Sequence, residues 1–460
     1  MKIDHPQVYF YSYQLSRESA TDPNSIWTWA DKLWRKFNVN NDFPNNFSQA
    51  NCKQPLLSKA QKFNFSPNLN GSLRCCLIHD SEGLLARVGS PEDDDNRDLS
   101  LEIFKTFNPE HVIVPVNNSK WLGQTILITY KLKTLVTLST EQFQELANNI
   151  VQNLLGDKPS STPRSTQLFG SPIFEYSSLD SQKQIFVYAL DDLSEKNLQQ
   201  TLQSVFELFY YRHKIVKAFR DSREIYQQAQ SFYKIVEKDI KTLQQRTNDS
   251  SDEKLLDLEN LKIDIKQLLY DGLMYQETLQ KLENFNNTIA INVYNYQQKI
   301  LEIGNKCHLL PEDLTTFSFF GDKTAPHYQR QIQGDLGYFK HGTDLINTAI
   351  ASIRGIVEIE QAEIDQSLER NIQILGAGLG AGGIIASSIS GHMDNFPPLY
   401  ILGVNQPLNP GLASIGYSAL AALTLGAIVG LVNGAIPALF KARRKPRSLP
   451  DKDITNKQQS

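Results

Sequence analysis

Between Asp394 and Lys441 the chain carries no Asp, Glu, Lys or Arg, and a second uncharged run, Ile372 to Met393, stands directly before it. In a chain with 21% charged residues and a mean hydropathy of -0.36, two such runs side by side constrain the fold more than any other feature. As a helix, Ile372 to Ser390 would reach roughly 28 Å at ~1.5 Å per residue, close to the ~30 Å hydrocarbon core of a bilayer. Leu412 to Phe440 is longer, enough to span with tilt. Between them Pro397, Pro398, Pro407 and Pro410 break any helix, so Gly391 to Gly411 reads as a loop. The runs predict a transmembrane hairpin with spans at about 372–390 and 412–440.

Charge sets the expected orientation. The loop has no Lys or Arg, whereas Lys441, Arg443, Arg444, Lys445 and Arg447 follow the second span and Arg370 precedes the first. The positive-inside rule places both termini in the cytoplasm of a multi-pass protein in an inner or plasma membrane. The N-terminal MKIDHPQVYFYSYQL is too polar for a signal peptide and alternates like a strand.

Both spans are rich in small residues. Gly376 and Gly380 fall in overlapping GxxxG patterns, and Gly426, Gly430 and Gly434 recur at four-residue spacing. Such spacing lines one helix face with small residues, for packing of the two spans on each other or between subunits. Asn433 is costly against lipid and is expected to face a partner helix or a pore.

The net charge of -4 carries no basic excess that would suggest nucleic acid; the expected partners are membrane lipid and further copies of the chain. Cys52, Cys75, Cys76 and Cys307 form neither a disulfide framework nor a zinc pattern. No Gly-rich phosphate loop, GxSxG or HExxH occurs, so the chain shows no enzyme signature. Glu92 to Asp95 with Asp98 form an acidic cluster, more often a solvated loop than a site for a hard cation.

Residues 1–192 read as a cytosolic α/β domain. Val8 to Tyr13 is a strand, Leu73 to His79 and Leu84 to Val88 form a hairpin, and His111 to Val116, Thr125 to Tyr130 and Ile185 to Leu190 are further strands. Helices are expected at Ser25 to Phe37 and Thr140 to Leu155, and Lys158 to Thr166 reads as a loop or internal linker. Residues 193–370 read as a long helical, coiled-coil stalk. A first helix starts at a Ser194 cap and runs to about Arg246, and Thr247 to Asp252 turns into a second, Glu253 to Lys306. A third helix runs from His327 to Arg370 with a seam at Ile346, Ile350, Ile353, Val357, Glu360, Ile364 and Leu368. Residues 371–440 are the hairpin and 441–460 a basic, then disordered, tail. The expected fold class is an α+β cytosolic domain, a long α-helical coiled-coil region and a C-terminal two-helix transmembrane hairpin.

This order of parts resembles the CorA family of divalent-cation channels, over most of the chain as architecture and over about Ser194 to Arg447 as helical pattern. The resemblance implies a pentamer around a pore lined by the first span, closed by magnesium bound between cytosolic domains. The family's signature is a Gly-Met-Asn tripeptide after the first span. Here Gly391-His392-Met393-Asp394-Asn395-Phe396 keeps Gly, Met and Asn in order but interrupts them with His392 and Asp394. The implied metal site is Asp394 with Asn395 at the outer mouth, and the implied ion Mg2+ or another divalent cation; Glu360, from its slot in the stalk's seam, is the expected gating position, for register or ion binding.

Three functions compete: passage or gating of cations under control of the cytosolic domain; a non-enzymatic membrane effector that senses a ligand; and a membrane-anchored coiled-coil scaffold. Glu358, Glu360, Glu363, Asp365 and Glu369 would concentrate cations in the first and are an ordinary solvated face in the third.

Overall fold

The computed structural model describes residues 2–15, 25–39, 60–66, 68–91, 98–111, 121–132, 138–159, 161–176, 182–249 and 258–360. The chain divides into two compact units, residues 1–227 with 281–336, and residues 228–280 with 337–460.

The strands of the first unit are β1 (Lys2–Leu15), β2 (Gln61–Ser66), β3 (Leu69–Ile78), β4 (Ser81–Gly89), β5 (Leu99–Ser100), β6 (Trp121–Lys131), β7 (Arg164–Leu168), β8 (Ser171–Tyr176) and β9 (Lys183–Leu190). They form one sheet in the order β2-β3-β4-β1-β6-β9-β8-β7, with β5 beside β1. β6 and β9 pair in parallel and the other pairings are antiparallel. A parallel pair needs a long crossover, and the chain between β6 and β9 supplies it with helix α3 (Thr140–Leu155) and the β7–β8 hairpin.

The expected strands at 8–13, 125–130 and 185–190 lie inside β1, β6 and β9, and the expected hairpin is β3–β4. Of the expected strand at 111–116, His111 closes a 3-10 turn and the rest lies outside the described residues. β7 begins inside the expected linker 158–166.

The central strands are buried on both faces; every residue of β6 from Trp121 to Tyr130 is buried. On one face Val8, Phe10, Ala86, Ile126, Ile128 and Val187 join a core with α1 (Ile26–Lys36) and α3. Trp27, Trp29, Leu33 and Trp34 come from α1, and Leu146, Ile150 and Leu154 from α3. Ser25 caps α1 by accepting from Thr28 N–H at 3.1 Å. Ser139 and Gln142 close a reciprocal capping box on α3, which ends at Gly156 with φ 88. Between these helices the chain forms the short α2 (Ile103–Thr106).

On the opposite face Tyr11, Tyr13 and Phe186 meet the start of α5 (Leu202–Asp249). Tyr11 packs on Phe206 and Phe209, and Phe186 stacks on Phe209. Tyr13 donates to the Phe206 carbonyl at 2.6 Å. The chain reaches α5 through α4 (Asp192–Gln200), whose cap is Asp191 and not the expected Ser194. Ser194 sits three residues inside, its amide donating to Asp191 Oδ1 at 2.7 Å while its hydroxyl accepts from Asp191 N–H at 2.9 Å.

His213 of α5 comes close against β6 because residue 123 is glycine. A Cβ there would stand 2.1 Å from His213 Nδ1. The ring is bonded through Nε2 to Thr125 Oγ1 at 2.8 Å, while Nδ1 is buried without a partner. Burial, with the Arg212 charge second, pushes its pKa down to about 3, so the ring is neutral at pH 7.

The described helices include α6 (Leu258–Cys307) and, after a 3-10 turn, α7 (Thr315–Phe319), a π-helical turn (Phe320–Thr324) and α8 (Ala325–Glu360). α5 and α6 are antiparallel, as expected: Glu207 pairs with Lys299 at 2.5 Å and Ser204 donates to Glu302 at 2.9 Å. In the second unit Tyr233, Tyr275 and Phe339 cluster around Gly342, where a Cβ would stand 2.6 Å from Tyr275 Oη. Ile346, an expected seam residue, is buried. Ile353, Val357, Glu360, Ile364 and Leu368 have side chains outside the described residues.

The expected transmembrane hairpin requires correction. Among the described residues no helix is long and apolar enough to cross a membrane. The long helices are amphipathic and carry charge at every few residues, as Asp264, Lys266 and Asp271 do on α6. The fold that the described residues support is therefore an α/β unit with long helices, and among them neither the hairpin nor the multi-pass inner- or plasma-membrane location finds a spanning helix. The runs 372–390 and 412–440 themselves lie outside the described residues.

Two outcomes follow from His213. Gly123→Ala should lower the unfolding free energy by about 1–3 kcal/mol through overpacking; an unchanged urea midpoint would refute the close approach. As pH falls below 6.5 the unfolded chain protonates this ring while the folded one resists until about 3, so stability is lost on acidification through that window. His213→Gln should flatten the stability curve there, and an unaltered slope would show that another group sets it.

Candidate functional site

The edge hairpin β7–β8 turns at Phe169 (φ 52) and Gly170 (φ 82). Two successive left-handed residues fit the twist of a two-residue hairpin turn. The register places Arg164 opposite Glu175. Glu175 is 8% exposed and holds two guanidiniums. Arg164 donates from Nη2 at 2.6 Å and Nε at 3.1 Å to Oε2, and Arg212 of α5 donates from Nη2 to Oε1 at 3.0 Å. Gln184 of β9 donates a further bond to Oε1 at 2.8 Å.

Each guanidinium also lies over an aromatic face: Arg164 Cζ is 4.2 Å from the Phe319 ring centre and Arg212 Cζ is 4.2 Å from that of Phe320. Stacking of this kind favours the planar guanidinium. Phe319 ends α7 and Phe320 opens the π-helical turn. π turns recur at functional sites because they re-aim side chains by one residue. Tyr296 of α6 supports the turn, its ring edge-on to Phe320 at 5.3 Å and its hydroxyl donating to the Phe317 carbonyl at 3.0 Å. Arg164 Nη2 donates to the Thr316 carbonyl at 3.0 Å, tying the hairpin to α7.

Together Thr162, Arg164, Glu175, Arg212, Phe319, Phe320, Thr324 and Tyr328 line a cavity of about 160 Å³. Tyr328, on α8, stacks on Phe219 of α5 at 3.9 Å. Two guanidiniums and one carboxylate leave a net positive wall, with Arg212 only 12% exposed and Arg164 29%. A cavity with fixed positive charge, stacked donors and hydroxyls attracts an anion of a few heavy atoms. Behind it runs a buried polar chain. Glu175 accepts from Gln184, Thr125 donates to Gln184 Oε1 at 3.3 Å, and Thr125 bonds to His213.

None of the sequence-derived site residues falls here. Asp394, Asn395, Gly376, Gly380, Gly426, Gly430, Gly434 and Asn433 lie outside the described residues. Glu360 is the last residue of α8, and its side chain also lies outside them. Of the acidic cluster, residues 92–97 lie outside, and Asp98 pairs with Lys2 at 3.5 Å. Among the described residues no group of three or more His, Cys, Asp or Glu could hold a metal ion. Arg164, Glu175 and Arg212 escaped the sequence reading because they meet only once the sheet has formed.

Comparison of the chain with protein families, with curated proteins and with solved structures finds no match.

Glu175→Gln removes the charge that both arginines share. We expect it to destabilise the fold by about 2–3 kcal/mol, a value reduced from that of a fully buried pair because Arg164 is partly exposed. Added sulfate should then stabilise the variant more than the unchanged protein. Equal responses to sulfate in denaturant unfolding would argue that no anion replaces the carboxylate.

Proposed function

We propose that the first unit is a sensor that binds a small anion between Arg164 and Arg212 and acts through binding rather than catalysis. The observation that carries the reading is the excess of guanidinium over carboxylate in a shaped cavity. The lining supports recognition more than chemistry, because Glu175 is already bonded to two arginines and Gln184. From the CorA resemblance the proposal keeps one element, a division of labour between a domain that holds a ligand and long helices that carry the consequence. Arg212 rides on α5 and Tyr328 on α8, and a ligand touching both would bias the helices that follow.

Calorimetric titration of the full chain with inorganic phosphate, sulfate and chloride tests this. Phosphate or sulfate should bind and chloride should not, and Arg212→Gln should weaken binding by about 10–100-fold, the worth of one charge-assisted contact. Absence of heat with all three anions, or an unchanged affinity in Arg212→Gln, would overturn the proposal.

A further inference from the structure

Helix α6 carries two heptad stripes, two residues out of step. The inner one, Leu268, Tyr275, Leu282, Ile289, Tyr296 and Ile303, recurs every seven residues and is buried at 1% exposure or less. The outer stripe carries Ile263, Tyr270, Leu273, Ile291, Tyr294 and Leu301, exposed between 48% and 63%. A second seam of large apolar side chains on a helix already packed along its first is what a further helix would cover.

The outer stripe is also a palindrome. Ile263 and Leu301 are equally distant in sequence from Leu282, as are Tyr270 and Tyr294, and Leu273 and Ile291. We infer that α6 pairs with α6 of a second copy of this chain, antiparallel, about a two-fold axis level with Leu282. In that register every layer joins a first-seam position to a fourth-seam position, the layering of antiparallel coiled coils. Ile263 meets Leu301 of the other copy, Tyr270 meets Tyr294, and Leu273 meets Ile291, each twice by symmetry.

Charge selects the direction. The polar seam positions are Lys266, Glu277, Gln280, Asn284, Asn287 and Gln298. A parallel pairing would set Lys266 against Lys266 and Glu277 against Glu277, like charges in facing positions. The antiparallel register sets Lys266 against Gln298, Glu277 against Asn287 and Gln280 against Asn284, where amides can bond either charge. The seven-residue repeat gives a left-handed supercoil. Twelve large apolar side chains from two copies would bury on the order of 1,200 Å², the lower edge of a specific interface.

Sedimentation equilibrium of the full chain should give a dimer, and Tyr270→Glu, a surface change that leaves the inner stripe intact, should weaken it by at least about 30-fold because it strikes two layers. Leu273→Cys combined with Ile291→Cys should form a bridged dimer under mild oxidation, visible without reductant and absent from either single variant. A monomeric unchanged protein, an odd-numbered assembly, or bridging by Leu273→Cys alone would overturn the pairing.

Discussion

The rest of the structure depends on burying both faces of the central strands. β1 and β6 present large side chains alternately to each side: Phe10 and Ile128 to the α1–α3 layer, Tyr11 and Tyr13 to α5. A sheet apolar on both faces cannot leave either in water, so helices must cover both. The start of α5 is therefore held by the core, and Arg212 is delivered to the β8 edge by the same packing that buries Phe206 and Phe209. The candidate site is a by-product of core formation in this sense: its carboxylate comes from the sheet and one of its cations from the covering helix.

Because α5 crosses the sheet close to the β6–β9 pair, polar groups are trapped there and must find one another. Thr125, Gln184 and Glu175 are all buried, and they form an unbroken line from His213 to the cavity. Fixing Glu175 from behind leaves the arginines as the adjustable partners. The aromatic rings of Phe319 and Phe320 hold the guanidinium planes without consuming hydrogen-bond donors.

What could be read from the chain alone follows the range over which each signal acts. Thr140–Leu155 matched its expected bounds because its apolar spacing and its turn signals lie within the segment. The β3–β4 hairpin was legible for the same reason, although its turn is tighter than expected, with Glu82 already in β4 and accepting from Trp27 Nε1 at 2.8 Å. The β7–β8 hairpin was not legible: Lys158 to Thr166 has the composition of a loop, and Phe169-Gly170 is not a customary hairpin turn. The cap moved from Ser194 to Asp191 because either residue satisfies a local rule and only the packed helix chooses between them. Of the site nothing was legible, since Glu175 and Arg212 stand 37 residues apart and become partners only through sheet register and helix placement. The uncharged C-terminal runs were the loudest signal in the sequence, and they bear on none of the residues that build this cavity.

The π-helical turn at Phe320–Thr324 makes the entrance to α8 a phase shifter. A π turn holds one residue more than an α turn. If it tightened to an α turn, every later side chain of α8 would advance by about 100° around the helix axis. Such a change needs no hinge and no break in the chain; it is a screw motion about the helix axis. Phe320 both opens this turn and stacks on Arg212, so the ring that meets one of the cavity's cations belongs to the turn that sets this phase.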